Sequence, residues 1–177
     1  MKTKLFFAAA LAVAILAVSS SAQSSGPRVP YVDKGACPFE CCTYREWTVD
    51  KPTVMHKEMS DSSPVSFRLA KGEKVTGVTG TVITTRAGIV RVLKKNTLEK
   101  VRLNRGDNIF LLTYLGEGFS KIWFNGRIFQ AEVTDEKVFK LTRQPVSVWW
   151  VKVKNRRSQI GWSRQPDNFG NKDQCGN

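Results

Sequence analysis

The apolar residues of this chain fall in short β-branched and aromatic runs, many at period two. Gly, Asn, Asp or Pro breaks them roughly every eight to twelve residues. That rhythm is incompatible with helices of useful length and predicts an all-β domain. The expected strands are 44–49, 65–69, 74–83, 89–93, 99–103, 109–115, 122–124, 127–133, 138–141, 148–154 and 159–163. Asn125-Gly126 is the clearest turn, because both residues tolerate the positive φ of a tight hairpin. Further hairpins are expected at Lys95-Asn96 and across Asn155 to Ser158. Thr134-Asp135-Glu136 could cap one short helical turn leading into Val138.

The first residues follow a different logic. Lys2 and Lys4 precede an apolar run over 5–18, which ends in Ser19, Ser20, Ser21 and Ala22. Charged, apolar and small-residue segments in that order read as a secretory signal covering 1–22. The run is shorter than the roughly 20 residues a membrane-spanning helix needs. Removing 22 of the 177 residues leaves one ordinary domain or two very small ones. The formal charge of +13 drops only by the two lysines. The mature chain is thus expected to be secreted or periplasmic, strongly basic and without a membrane span. Residues 23–36, rich in Ser, Gly and Pro, read as a flexible lead-in.

Export gives the cysteines a meaning. Cys37, Cys41, Cys42 and Cys175 all follow the leader, in a compartment where disulfides persist. The adjacent Cys41 and Cys42 are poorly placed to pair with each other. One of them is therefore expected to close a short loop with Cys37, and the other to reach Cys175. A metal site is not expected, because C-x₃-C-C is not a common zinc spacing and His56 is the only histidine.

Catalytic constellations are equally sparse. His56 has no recognisable nucleophile motif beside it, and Glu73, Glu117 and Glu132 follow no spacing that would pair them for acid–base work. The tail from Asp167 to Asp173 offers oxygens at alternate positions but lacks the closing Glu of a calcium loop. No cofactor is expected, and the chain reads as non-catalytic.

Charge is more informative. Arg86, Arg91, Lys94, Lys95, Lys100, Arg102 and Arg105 form one basic cluster against the single acid Glu99. A second gathers Lys152, Lys154, Arg156, Arg157 and Arg164 around Trp150 and Trp162. Strand alternation places Trp149, Val151 and Val153 on a core face, with Trp150, Lys152 and Lys154 on a wet one. Cations beside indole rings suit an anionic polymer, and this second group is the expected ligand-binding surface. Export argues against intracellular nucleic acid. The expected partners are cell-envelope polysaccharide or peptidoglycan, or else a periplasmic protein held at a strand edge or aromatic groove.

Two segments carry a resemblance. Phe67-Arg68-Leu69-Ala70-Lys71-Gly72-Glu73-Lys74-Val75 resembles the stretch through which bacterial SH3-like (SH3b) domains enter their central strands. Trp149-Trp150-Val151-Lys152-Val153, followed by Ile160-Gly161-Trp162, is similar to their closing hairpin. A weaker second copy of the first segment starts at Leu103 and runs to Ile109. The resemblance implies small disulfide-stapled barrels in tandem, 37–103 and 104–177, that bind cell-wall glycan or peptide without catalysis.

Overall fold

A computed structural model describes residues 26–175. The expected signal at 1–22 lies outside them. Among the described residues the fold is all-β, with fifteen strands and one 3-10 turn at Pro166–Asn168. No helix among them is long and apolar enough to cross a membrane.

The strands are β1 Tyr31–Lys34, β2 Glu46–Val49, β3 Thr53–His56, β4 Val65–Leu69, β5 Lys74–Arg86, β6 Gly88–Val92, β7 Asn96–Leu98 and β8 Val101–Leu103. They continue as β9 Asn108–Gly116, β10 Phe119–Phe124, β11 Arg127–Glu132, β12 Phe139–Arg143, β13 Val146–Lys154, β14 Ile160–Ser163 and β15 Phe169–Gly170. One curled sheet runs β15-β2-β5-β13-β14-β3-β4, with β1 added against β5. A second runs β11-β10-β9-β6-β12, and β7 with β8 makes a separate ribbon.

Each sheet closes on its own core. Trp47, Val49, Met55, Phe67, Leu69, Val75, Val151, Val153 and Phe169 fill the first. Val90, Val92, Leu103, Ile109, Ile122, Phe124, Ala131 and Phe139 fill the second. The junction expected at 103 and 104 falls inside that second core, between Leu103 and Ile109. The first sheet instead takes strands from both ends of the chain, because β13 pairs antiparallel with β5 from Val146↔Arg86 to Lys154↔Thr76. Residues 87–143 are thereby folded between two halves of one sheet. Strand periodicity marks which residues face a core but not which strands share it.

Glycine makes the first core possible where large rings approach the backbone. A Cβ on Gly77 would lie 2.6 Å from the Trp47 indole, and one on Gly80 would meet Trp149, Tyr44 and the Ala36 carbonyl. The Tyr44 hydroxyl donates to the Ala36 carbonyl, and burial pushes its pKa up to about 12.

The C-terminal tail is strapped to the N-terminal part. β15 pairs with β2, and Arg45 donates to the side chain of Asn171 at 2.7 Å and to the Asp173 carbonyl at 2.6 Å. Asn171 in turn donates to the Glu46 carbonyl at 2.6 Å. Cys37 joins Cys42 and Cys41 joins Cys175, as the cysteine spacing led one to expect. The backbone carbonyls of Asn168, Asn171 and Asp173 are thus spent on docking.

Some local expectations need correction. Within the stretch read as a flexible lead-in, β1 pairs Tyr31↔Thr84 through Lys34↔Thr81, and buried Asp33 binds Lys121 at 2.7 Å. Its partners lie too far along the chain for a local pattern to announce them. The turn expected at Lys95-Asn96 falls instead at Glu99-Lys100, both at positive φ, because Asn96 already pairs with Leu103. The single helical turn expected after Thr134-Asp135-Glu136 does form: the Asp135 side chain accepts from the Lys137 amide, and its carbonyl accepts from the Val138 and Phe139 amides where β12 begins. Asn125-Gly126 turns as expected, with φ 46° and 80°.

The Cys41–Cys175 bond spans 134 residues. Removing a loop closure of that size costs about 4–5 kcal/mol in the chain-entropy account. The double variant Cys41→Ser/Cys175→Ser is expected to lower urea-unfolding stability by up to that amount. Unchanged stability would mean that the tail is held by β15 and the Arg45 contacts alone.

Candidate functional site

Two turns far apart in sequence meet at one end of the first sheet. The first links β4 to β5. Gly72 takes φ 87°, its amide bonds the Val49 carbonyl at 2.7 Å, and the Glu73 carboxylate caps the Ala70 amide at 2.6 Å. Glu73 is therefore spent as a turn-former, while Arg68 and Lys71 are left exposed. Lys74 donates to Thr48 Oγ1 at 2.8 Å and lies 3.6 Å from Glu46.

The second turn links β13 to β14. Asn155 organises it: its Oδ1 accepts from the Arg157 and Gln159 amides, both at 3.0 Å, and its amide bonds the Gln159 carbonyl. Ser158 adopts φ 62°, the left-handed residue that commonly follows a type I turn in a hairpin. Arg156 and Arg157 stand at the tip, exposed. Among the described residues, neither guanidinium has a hydrogen-bond or ion-pair partner, nor has that of Arg68.

These turns enclose two adjoining clefts. One, of about 440 Å³, is lined by Arg68, Glu73, Arg156 and Arg157 together with Phe67, Asn155 and Gln159. The other, of about 360 Å³, is lined by Lys71, Gly72, Glu73, Lys74 and Arg156. Arg156 and Glu73 belong to both. Lys154 is exposed just before the hairpin tip, opposite Thr76.

The expected binding residues divide accordingly. Lys154, Arg156 and Arg157 belong to this basic end. Trp162 and Lys152 are cross-strand partners, both half-buried, with the ammonium 5.3 Å from the ring centroid. Arg164 lies at the opposite end of β14, where it pairs with Asp61 at 2.8 Å.

Trp150 requires a correction. The ring expected on the wet face is only 6% exposed. Its cross-strand partner Thr81 is buried, as are the next residues on each strand, Val82 and Val151, so both faces are covered there. This stretch of β5 passes to the second sheet, where Thr84 donates to the Leu112 carbonyl. Trp149, expected in the core, is half-buried against it and meets Phe39 edge-on at 5.8 Å.

Arg68, Lys71 and Lys74 escaped the charge reading. They lie within the segment Phe67 to Val75, whose spacing drew attention as a fold motif rather than as a run of cations.

One further cleft, of about 290 Å³, brings His56, Asp61 and Ser163 together. Each is otherwise engaged. His56 Nδ1 bonds the Ser63 carbonyl at 2.8 Å, Asp61 pairs with Arg164, and Ser163 Oγ accepts from the Gln165 amide. No hydrogen bond joins any two of the three, whereas a working triad needs two. Glu40, Cys41 and Cys175 cluster with potential metal ligands, but both sulfurs are committed to the disulfide. No protein-family model, curated protein or solved structure matches the chain.

The burial contrast separates core from surface. Trp150→Ala is expected to cost about 3–5 kcal/mol in urea unfolding, and Arg156→Ala to stay within about 0.5 kcal/mol. Equal small effects would place the Trp150 ring at the surface.

Proposed function

We propose that the protein is an exported, non-catalytic module that holds an anionic cell-envelope or extracellular polymer at the basic end of its first sheet. The observation that carries this reading is the convergence of Arg68, Lys71 and Lys74 with Arg156 and Arg157 around two adjoining clefts. Of the nearby acids, Glu73 is occupied in shaping its turn and Glu46 offsets Lys74 alone. Like charges gathered at one place repel, and unpartnered guanidiniums contribute nothing to folding that would offset this. A carboxylate, phosphate or sulfate group relieves that repulsion, and the planar guanidinium fork can bind it through two parallel N–H bonds. Lysines at the margin add attraction over roughly a Debye length, about 8–10 Å in physiological salt.

Other observations agree with this. The sequence pattern read as an export signal at 1–22 and the two disulfides fit a secreted or periplasmic chain. The two segments resembling SH3b domains form the β4–β5 connection and the β13–β14 hairpin, so the basic end lies where both meet. On that reading the partner is cell-wall glycan or peptide bearing acidic groups. Trp162 is half-buried, with Lys152 over its ring.

Retention of the full chain on purified cell wall and on dextran sulfate, with uncharged dextran as the control, tests the proposal. Wild type is expected to bind both anionic matrices and to elute as salt rises. The variant Arg68→Ala/Arg156→Ala/Arg157→Ala is expected to lose about tenfold or more in affinity, or some 1.4 kcal/mol, with a shallower salt dependence. Equal retention of wild type and variant, or equal binding to uncharged dextran, would overturn it.

A further inference from the structure

The second sheet carries a cleft of different chemistry. The Asn125-Gly126 turn fixes the register Phe124↔Arg127, which sets Trp123 opposite Ile128 on one side and Phe110 on the other. Phe110 in turn faces Ile89 on β6. Ile128, Trp123, Phe110 and Ile89 therefore form one row across four strands, on the face away from core residues Ile109 and Ile122. Trp123 and Phe110 are half-buried, with ring centroids 5.4 Å apart and planes at 74°. Gly26 lies against the tip of the Phe110 ring, and both rings border the cleft described next.

Polar groups converge beside these rings. The 104–107 loop and the end of β8 rise on one side and the Asn125-Gly126 turn on the other, around a cleft of about 390 Å³. That is within the usual range for a small-ligand site. Arg102, Asn104 and Asn125 line it and are exposed, and among the described residues their side chains have no hydrogen-bond partner. Asp107, also in the lining, holds the Asn104 amide at 2.7 Å, and Asn108 accepts from Arg91 at 3.3 Å. The loop is thus braced from within while its outward amides stay free.

We infer that this cleft is a second binding site, for a neutral pyranose oligosaccharide, with Phe110 and Trp123 as the apolar platform and Arg102, Asn104 and Asn125 as hydrogen-bonding groups. The C–H face of a sugar ring is apolar and its rim is polar. It matches a surface in which an aromatic pair adjoins planar amides and a guanidinium that can both donate to and accept from hydroxyls. Asp107 balances Arg102 within the lining, and Arg91, bonded to the lining residue Asn108, adds a single cation at its edge. The cleft is thus far less cationic than the basic end, where Arg68, Lys71, Arg156 and Arg157 gather.

The test is a titration of the ¹⁵N-labelled full chain with two uncharged probes, cellohexaose and N-acetylchitohexaose, following the Trp123 indole N–H. At least one probe should shift that signal saturably, and about 0.5 M salt should leave the affinity unchanged, since screening acts on charges. The double variant Asn104→Ala/Asn125→Gly keeps the turn, because glycine accepts the positive φ at position 125. It should bind about tenfold more weakly. The basic-end triple variant should bind these probes like wild type, so failure at either site is read separately. No shift at Trp123 with either probe up to millimolar concentration, undiminished binding by the double variant, or a stronger response to oligothymidylate would overturn the inference.

Discussion

The antiparallel ladder between β5 and β13 is the constraint from which the rest follows. It joins residues sixty or more positions apart, from Val146↔Arg86 at one end to Lys154↔Thr76 at the other. Antiparallel pairing sets the start of one strand beside the end of its partner. The turn that feeds β5 and the turn that leaves β13 must therefore lie side by side. Lys71 belongs to the first, with Arg68 just before it at the end of β4, and Arg156 and Arg157 belong to the second. The basic end is thus a consequence of register: a shift of the ladder would part the two turns and turn the Val151 and Val153 face away from the first core.

Farther along the same ladder, β5 is covered by packing. There β5 carries β1 on its free edge and passes through Ala87 alone into β6, so the second sheet packs directly upon it. Gly88 lies at this pivot, where a Cβ would sit 2.9 Å from Pro145 and 3.1 Å from Leu111. Thr81, Val82, Thr84, Trp150 and Val151 are all buried in this stretch. The Asp33–Lys121 pair ties β1 to β10 across the same junction.

How much of this was legible in the sequence depends on how local the determinant was. Val65–Leu69 is a strand with the bounds its alternation implied, and Asn125-Gly126 announced its own turn. Cysteine spacing left two pairings open, of which the structure has Cys37 with Cys42 and Cys41 with Cys175. Sheet membership was not legible, because period two records that a residue faces a core without saying which one. Trp150 shows the limit most clearly. Its lysine neighbours implied water, but it lies opposite buried Thr81, in the stretch of β5 that is flanked by β13 on one edge and β1 on the other. Arg156 and Arg157 were visible as charge, whereas Arg68, Lys71 and Lys74 became part of the same surface only once the turns were brought together.

The central claim is that two remote turns act as one anion-binding surface. A two-dimensional NMR titration of the labelled full chain with a short sulfated dextran measures this directly. The account predicts that amides of 68–74 and 154–159 shift together along one saturation curve, with the 86–105 segment still. Shifts confined to one turn, or concentrated in 86–105, would contradict it.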